Sequence, residues 1–343
     1  MSKIRVLVVE DSLVFRQLLV DALNQAPGFE VVAVAEDPFQ ARDAIIECQP
    51  DVMTLDVELP RMSGIEFLRK LMPQYPLATV VISSLSDRVF DALRAGAVDF
   101  VAKPALSQKS QLEQFLKKEL PAKVKAASMA RLDQVRYKPK QENRFSQGEI
   151  VRKDMVVAIG ASTGGTEAIS TVIKGFGTDI PGVVVVQHMP PGFTEMYARR
   201  LDKECVVEVK EAKTGDVVKP GRVLIAPGGE EHMRLVRVGE EYQVILRRGQ
   251  KVNGHCPSVD VLFQSVAETA GSHALGILLT GMGSDGARGL LKMRQHGART
   301  IGQDESSCVV YGMPKVAYEL GAVQYQEKLS EVARRTYSII NQK

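Results

Sequence analysis

Cysteine is scarce in this 343-residue chain, which has only four, far apart and without a C-x-x-C pair. This spacing does not form the disulfide framework that small secreted proteins use. The chain also lacks an N-terminal signal segment and any apolar run long enough to cross a bilayer. We therefore expect a reduced, soluble protein of the cytoplasm that does not insert into a membrane. The cysteines are Cys48, Cys205, Cys256 and Cys308.

Concentrated positive charge is absent as well. Residues 1–120 contain 13 basic and 17 acidic side chains, residues 121–150 contain 7 and 3, and residues 151–343 contain 24 and 21. The balances of −4, +4 and +3 leave no domain with the basic face of a nucleic-acid-binding protein. With 45% hydrophobic and 25% charged residues, a chain of this length is expected to form two globular domains.

Five strand–helix units are predicted in the first 120 residues. Alternation of this kind forms a doubly wound parallel sheet, whose ligands bind outside the carboxyl ends of the strands. The predicted strands cover 4–9, 30–35, 52–55, 79–83 and a fifth that ends at 100–102, and the predicted helices cover 14–25, 38–48, 64–72, 87–95 and 108–119.

Polar side chains follow these strands at the ends where ligands bind, namely Glu10, Asp11, Asp56, Ser83 and Lys103. Three carboxylates close together repel one another unless a cation joins them, and Mg²⁺ prefers carboxylate and phosphate oxygens. A lysine on the other side supplies a positive charge for an incoming phosphoryl group. The pattern therefore predicts a magnesium-dependent phosphoryl site.

With these residues, the first domain resembles the receiver domains of bacterial two-component response regulators. Leu59-Pro60 and Met62-Ser-Gly64 after Asp56, the aromatic Phe100, and Pro104 after Lys103 complete the resemblance. It implies a flavodoxin-like five-stranded parallel sheet. A flavodoxin-like cofactor domain, the alternative, would have the same layout but no need for this carboxylate, hydroxyl and lysine set.

The resemblance also implies roles for these residues. Asp56 would accept a phosphoryl group, and receiver phosphorylation would require Mg²⁺. The implied Mg²⁺ ligands are Glu10, Asp11, Asp56 and the backbone carbonyl of Glu58. The implied switch residues are Ser83, Phe100 and Lys103, of which Ser83 and Lys103 would contact the phosphoryl oxygens.

A polar stretch separates the two domains. After Met129 the chain loses its apolar periodicity and becomes rich in Lys, Arg, Gln and Asn, with Arg136-Tyr-Lys-Pro-Lys140 at its centre. We predict a helical start followed by a flexible tether. The expected boundaries are a receiver domain at 1–120, a flexible polar linker at 121–150 and a second domain at 151–343.

Ser162 lies in a small-residue turn, Gly160-Ala-Ser-Thr-Gly-Gly165, between a predicted buried strand and a predicted helix from Thr166 to Lys174. The turn fits the G-x-S-x-G nucleophile elbow, which exposes a serine oxygen beside oxyanion donors. A phosphate loop is a weaker alternative, because the turn has neither the lysine of G-x-x-x-x-G-K-[ST] nor the G-x-G-x-x-G spacing. A glycine-rich connection without chemistry is the third interpretation.

Two further strand ends favour the nucleophile. Apolar residues 181–187 lead to His188, and the predicted strand 274–279 leads to Thr280-Gly-Met-Gly-Ser-Asp285. A hydroxyl, an imidazole and a carboxylate at three strand ends are what a nucleophilic triad requires. The chain order Ser162, His188, Asp285 differs from that of α/β-hydrolases. The other histidines are interpreted as ordinary core or surface residues: His232, His255, His273 and His296.

The remaining predicted elements are a strand at 222–226, a β-hairpin of 233–238 and 242–248, and a helix at 259–269. With these elements, the second half resembles the catalytic domain of the CheB chemotaxis methylesterases. The matching segments are Gly160–Gly165, Gln187-His-Met189, Ile225-Ala-Pro-Gly-Gly229 with His232-Met233, Pro257–Phe263, Leu279–Gly283 with Asp285-Gly286, and Tyr311-Gly-Met-Pro314. The resemblance implies a Rossmann-like α/β methylesterase domain with an added β-hairpin.

The implied activity is hydrolysis of glutamate γ-methyl esters on methyl-accepting chemotaxis receptors, with deamidation of receptor glutamines. Ser162 would be the nucleophile, His188 the general base and acid, and Asp285 the orienting carboxylate, with the oxyanion hole at Met282 and Thr163. Ester hydrolysis would need no cofactor. A chemotaxis histidine kinase would phosphorylate Asp56 and relieve a block of the catalytic site by the receiver. We expect a monomer.

Two other classes of protein fit the sequence less well. A response regulator with a DNA-binding output would have a short, basic, helical C-terminal domain, which this chain lacks. A non-catalytic interaction module could have the same fold but has no reason to keep Ser162, His188 and Asp285 together.

Overall fold

The computed structural model describes residues 2–84, 88–135 and 154–342. The chain divides into two compact units, Met1–Tyr137 and Lys138–Lys343. Among the described residues, no helix is both long enough and apolar enough to cross a bilayer.

The first unit is built on a five-stranded parallel sheet with the order β2-β1-β3-β4-β5. This is the predicted flavodoxin-like arrangement, in which the strand order changes direction between β1 and β3. The strands are β1 Ile4–Val9, β2 Phe29–Ala35, β3 Val52–Asp56, β4 Ala78–Ser83 and β5 Asp99–Ala102, and the helices between them are α1 Leu13–Gln25, α2 Pro38–Cys48, α3 Gly64–Gln74 and α4 Arg88–Arg94.

The periodicity of the sequence explains these elements. Every residue of β3 and β4 is buried, as expected of strands covered by helices on both faces. The side chains of Ser12, Asp37 and Ser63 accept hydrogen bonds from backbone N–H groups in the first turns of α1, α2 and α3. Each cap satisfies donors that a helix leaves unpaired, and so fixes where the helix begins.

The first unit extends beyond the predicted boundary at residue 120. Helix α5 Lys109–Gln114 continues through a π-helical turn, Phe115–Glu119, into α6 Leu120–Ser128, and α7 Leu132–Val135 follows. Val124 of α6 is fully buried, and Lys123 forms a 2.7 Å ion pair with Asp99 of β5. Residues 121–128 are therefore part of the first unit's core packing. The rest of the predicted linker, from residue 136 to 150, lies outside the described residues.

The second unit contains a seven-stranded parallel sheet with the order β14-β13-β12-β6-β7-β9-β8 and a separate antiparallel pair, β10-β11. The strands are β6 Val156–Ala161, β7 Gly182–Gln187, β8 Glu208–Glu211, β9 Arg222–Ile225, β10 Glu231–Val238, β11 Glu241–Arg248, β12 Ala274–Leu278, β13 Arg299–Gln303 and β14 Tyr325–Glu327. The helices are α8 Gly165–Lys174, α9 Phe193–Glu204, α10 Val259–Ala270, α11 Ala287–Gln295, α12 Met313–Glu319 and α13 Leu329–Ile340.

The predicted β-hairpin is present and packs on the core. Its register runs from Glu231 opposite Arg248 to Val238 opposite Glu241. Met233 and Val244 on its inner face are fully buried in the same apolar cluster as Phe263 of α10. The hairpin thus covers α10, and the Rossmann-like fold with an added hairpin is confirmed.

Strand order decides where a site can form in this unit. β6 lies between β7 and β12: the chain places β7, β8 and β9 on one side of β6 and later β12, β13 and β14 on the other. The carboxyl ends of β6, β7 and β12 are therefore adjacent at the point where the strand order changes direction. Open α/β sheets bind their ligands at such a crevice.

Gly160, in β6, allows α10 to pack closely on this part of the sheet. A Cβ atom at Gly160 would lie 2.2 Å from Cγ1 of Val259. We expect Gly160→Ala to lower the free energy of unfolding by about 1–3 kcal/mol, because the helix must move away from the strand. Urea denaturation followed by circular dichroism measures this loss.

The matched control is the same substitution in a Val259→Ala background, where the clashing methyl groups are gone. There Gly160→Ala should cost distinctly less than it does in the wild-type chain. Equal costs in the two backgrounds would show that this contact does not limit the packing of α10.

Candidate active site and phosphoryl-acceptor site

Ser162 directly follows β6 and is held by its own backbone. Its N–H donates to the carbonyl of Thr280, at 3.0 Å, and its carbonyl accepts from the N–H of Gly165 at 2.7 Å and from Nε2 of Gln187 at 2.9 Å. The residue is only 6% exposed. These bonds tie the end of β6 to β7 and to the loop after β12, so the backbone of Ser162 has a fixed position at the junction of three strands.

His188 directly follows β7, and its N–H donates to the carbonyl of Ala161 at 3.3 Å. Its imidazole is almost completely buried and contacts Asp285, with Nε2 and Oδ2 at 2.8 Å. The structure therefore brings two of the three predicted triad residues into direct contact, although they are 97 positions apart.

Asp285 belongs to the loop between β12 and α11, and its carboxylate lies against the amino end of α10. Its carboxylate accepts from the N–H groups of Val259, at 2.7 Å, and Asp260, at 3.2 Å, and from the capping hydroxyl of Ser258, at 2.7 Å. Nδ2 of Asn253 adds a further bond at 2.9 Å. The unpaired donors and the partial positive charge at a helix N-terminus suit an anion. The carboxylate is thus surrounded by donors.

These donors set the pKa of Asp285. Burial by itself would raise the pKa, but the hydrogen bond and the charge of His188, with the bonds from Asn253 and Ser258, hold it well below its usual value. The ionised carboxylate only accepts hydrogen bonds. Nε2 of His188 must therefore carry the proton, and in the neutral ring Nδ1 is the acceptor.

Nδ1 of His188 is buried and has no hydrogen-bond partner within the described part of the chain. No hydrogen bond joins it to the Ser162 hydroxyl in this structure. Such contacts are often long in enzymes without substrate and tighten when the substrate binds. The unpaired Nδ1 is the atom of the cluster that is free to accept a proton.

The loop after β12 carries Met282, one of the two predicted oxyanion donors. Its N–H donates no hydrogen bond to any residue that the structure describes. Gly281 packs against Ser162, since a Cβ at Gly281 would lie 2.7 Å from Cβ of Ser162. Thr163, the other predicted donor, is buried, and its carbonyl accepts from the hydroxyl of Thr280 at 3.0 Å.

This loop, Gly281-Met-Gly-Ser-Asp-Gly286, has the G-x-G-x-x-G spacing that the Ser162 turn lacks. Its fifth residue, Asp285, points to the end of α10 and to His188. In this chain the G-x-G-x-x-G loop positions a carboxylate. The spacing alone does not distinguish such a loop from one that binds a dinucleotide.

Sequence reasoning missed four residues around this cluster: Asn253, His255, Ser258 and Asp260. His255, interpreted from the sequence as an ordinary histidine, stacks its ring on that of His188 with centroids 3.6 Å apart. Asn-Gly at positions 253–254 is a recognisable turn signal. The sequence does not show, however, that this turn packs against His188 and Asp285.

The other three histidines fit the original interpretation. His232 is buried and hydrogen-bonded to backbone at both ring nitrogens, His273 pairs with Asp154 at the surface, and His296 bonds to its own helix.

The first unit has a separate cluster at the carboxyl ends of β1 and β3. Oxygen atoms of Glu10, Asp11 and Asp56 lie within 4.8 Å of one another. Nζ of Lys103 bonds to both carboxylate oxygens of Glu10, at 2.9 and 2.8 Å, and to Oδ2 of Asp56. Burial raises the pKa of Glu10 to about 7, with Asp56 adding to the effect and Lys103 opposing it. The donor set is the all-oxygen kind that suits Mg²⁺.

The remaining predicted receiver residues surround this cluster. The backbone N–H of Glu58 donates to Oδ1 of Asp56 at 2.9 Å, while its side chain is 76% exposed and faces Arg88. The backbone of Glu58 is therefore attached to the cluster through its N–H, and the role of its carbonyl as a ligand stays a prediction. Ser83 is buried at the end of β4, and Phe100 is buried in β5.

Comparisons with known proteins assign each unit to a family. Residues 157–336 match the model of the family described as CheB methylesterase, and residues 6–117 match that described as response regulator receiver domain. The chain belongs to the CheB methylesterase family. It carries a receiver domain, the class of domain that is phosphorylated, usually with Mg²⁺.

Full-length relatives support the assignment. A protein-glutamate methylesterase/protein-glutamine glutaminase 2 of Syntrophomonas wolfei is 59% identical over 100% of this chain and 99% of its own. A protein-glutamate methylesterase/protein-glutamine glutaminase of Syntrophotalea carbinolica is 51% identical over 100% of this chain and 99% of its own. The crystal structure of the Thermotoga maritima CheB methylesterase catalytic domain covers 54% of this chain and 98% of its own, with 38% identity and a TM-score of 0.53.

The two buried aspartates near His188 are expected to respond to pH in opposite directions. The pKa of Asp285 is lowered, so its contribution to stability is present above the pKa of about 4 in the unfolded chain and is lost as the pH falls below it. We therefore expect the stability deficit of Asp285→Asn, measured by urea denaturation, to be full at pH 7 and to shrink below about pH 4.

Asp260 is the matched control. Burial raises its pKa, so its ionisation in the folded protein costs stability as the pH rises. Relative to wild type, Asp260→Asn should become less unfavourable with rising pH. The same pH trend for both variants would contradict the assignment of an ionised Asp285.

Proposed function

We propose that this chain hydrolyses glutamate γ-methyl esters on the cytoplasmic helices of chemoreceptors and deamidates glutamines there, in adaptation of bacterial chemotaxis. The observation that carries the proposal is the buried His188–Asp285 pair beside Ser162, at the carboxyl ends of three adjacent strands. The full-length relatives, named as esterase and glutaminase, support the same activity.

In the proposed reaction, Ser162 Oγ attacks the ester carbonyl and Nδ1 of His188 takes its proton. Asp285 then faces an imidazolium, whose charge the carboxylate stabilises. The oxyanion of the tetrahedral intermediate would lie against the unpaired N–H of Met282, with Thr163 as the second donor. Collapse of the intermediate breaks the ester bond, and Nδ1 returns the proton to the departing methanol.

The acyl-enzyme is then hydrolysed by the same groups. Nδ1 of His188 takes a proton from water, the hydroxide adds to the acyl carbon, and the proton returns to Oγ of Ser162 as the glutamate carboxylate leaves. With a glutamine side chain the first leaving group is ammonia. None of these steps requires a cofactor, because His188 exchanges each proton with Ser162, water or the leaving group.

The receiver cluster is proposed to regulate this activity. Asp56 would take a phosphoryl group from a chemotaxis histidine kinase, forming an acyl phosphate as the phosphorus–nitrogen bond of the donor breaks. Glu10, Asp11, Asp56 and the carbonyl of Glu58 would hold Mg²⁺, and the clustered oxygens of the three carboxylates fit that ion. Bound there, Mg²⁺ would neutralise charge on the carboxylates and the phosphoryl group.

Lys103 and Ser83 complete the proposed acceptor site. Lys103 already spans Glu10 and Asp56, so its ammonium is in reach of a phosphoryl group on Asp56. The Ser83 hydroxyl now bonds to the carbonyl of Ser84 and would exchange this partner for a phosphoryl oxygen. Phe100, in the neighbouring strand β5, would respond to that change. The chain is proposed to act as a monomer.

Ser162→Ala and His188→Ala are each expected to lower the rate of methanol release from methylated receptor by about 10⁴-fold or more, because either change removes the nucleophile–base unit. Asp285→Asn should lower the rate of methanol release by a smaller factor if neighbouring residues still hold the imidazole of His188. Controls are Ser170→Ala, a buried serine of α8, and His296→Ala, a surface histidine of α11. Methanol release at the wild-type rate by a folded Ser162→Ala chain would exclude the serine mechanism.

Phosphorylation is tested with acetyl phosphate as the donor. We expect Asp56 to be phosphorylated only when Mg²⁺ is present, because the carboxylates otherwise repel a second anion. Methanol release should then rise in the wild-type chain and stay at its basal rate in Asp56→Asn. Asp21→Asn, which removes an exposed carboxylate of α1, is the control and should behave as wild type. Phosphate retained by Asp56→Asn would place the acceptor elsewhere.

A further inference from the structure

A second imidazole lies flat against the catalytic one. The rings of His188 and His255 are stacked, with centroids 3.6 Å apart and planes only 7° from parallel. The edges of the His188 ring are used by other groups, since Nε2 bonds to Asp285 and Nδ1 is the proposed base. The stack therefore contacts the face of the ring, which no step of the proposed reaction uses.

The backbone that carries His255 is a closed turn. Val252 and His255 exchange backbone hydrogen bonds, at 3.0 and 2.9 Å. Between them, Asn253 and Gly254 both have left-handed backbone angles, with φ of 52° and 85°. Asn-Gly is the residue pair that best tolerates two such angles in succession. The local sequence thus fixes the direction in which His255 leaves the turn.

The same turn is attached to the carboxylate of the pair. Nδ2 of Asn253 donates to Oδ1 of Asp285 at 2.9 Å and to Oδ2 of Asp260 at 2.7 Å. A turn of four residues therefore contacts Asp285 through one side chain and His188 through another. The hydrogen bond from Asn253 to Asp285 therefore anchors the turn that carries His255 to the pair.

The imidazole of His188 needs such a contact. The torsion that rotates a histidine ring about its Cβ–Cγ bond has broad minima, so the ring plane is poorly fixed by the side chain itself. The bond to Asp285 holds one nitrogen but leaves the ring free to swing about that contact. A parallel ring at stacking distance blocks this swing, because it would have to be displaced.

We propose that His255 is a positioning residue for the esterase reaction, whose stacked ring holds the plane of the His188 imidazole so that Nδ1 stays directed at the nucleophile. The role rests on the proposed function. The positioning depends on the flat ring of His255, and the ring nitrogens of His255 take no part in proton transfer. Loss of orientation at a reacting group lowers the rate of the chemical step far more than it weakens substrate binding.

The test compares variants at position 255 in the full-length chain. His255→Ala removes the ring and should lower kcat for methanol release about 10- to 100-fold with little change in KM. His255→Phe keeps a flat ring and should retain kcat within about threefold of wild type. His296→Ala is the matched histidine control and should match wild type. Circular dichroism melting checks the fold, and His255→Asn replaces His255→Ala if that variant does not fold.

A second measurement does not depend on esterase activity. The proton on Nε2 of His188, bonded to an ionised carboxylate, should give a far-downfield NMR signal in wild type and His255→Phe. The signal should broaden by exchange with water in His255→Ala. Wild-type kcat with a sharp signal in His255→Ala would overturn the proposal. So would equal losses of kcat in His255→Ala and His255→Phe, since the ring itself would then not be sufficient.

The two measurements also separate this inference from the proposed function. If the wild-type chain releases no methanol from methylated receptor, the esterase assignment is wrong. The NMR comparison then still reports whether the His255 ring orients His188.

Discussion

A buried carboxylate is stable in a protein only where donors replace the water that it has lost, and Asp285 has five of them. Three come from the first turn of α10, one from Asn253 and one from His188. This arrangement keeps Asp285 ionised, and the ionised carboxylate in turn determines which nitrogen of His188 carries the proton. The proposed base, Nδ1, is therefore a consequence of the position of α10.

The two units differ in how they treat buried carboxylates. In the second unit, N–H and O–H donors hold the pKa of Asp285 well below its usual value. In the first unit, burial dominates at Glu10 and raises its pKa to about 7, although Lys103 bonds to it. Fixed donors suit a carboxylate that must stay charged during the proposed proton transfer. A cluster whose charge is only partly balanced suits the binding of a cation and of a phosphoryl group.

Strand order explains why both sites lie where they do. Each sheet changes direction at a strand near its centre, β1 in the first unit and β6 in the second. Helices then leave on opposite faces of the sheet, which opens a crevice at the carboxyl ends. Residues from distant parts of the chain meet there, as His188 and Asp285 do. Gly160 contributes by allowing α10, and with it the donors to Asp285, to lie against β6.

The sequence by itself determined the strands and helices of the first unit, the β-hairpin, and the positions of Ser162, His188 and Asp285 at strand ends, because periodicity and turn residues are local signals. Only the tertiary structure decided that residues 121–128 pack on the first unit, that α10 delivers donors to Asp285, and that His255 stacks on His188. These contacts join segments that are far apart in the chain. Nothing in their own local sequence records the partner, since each depends on how the sheets and helices pack.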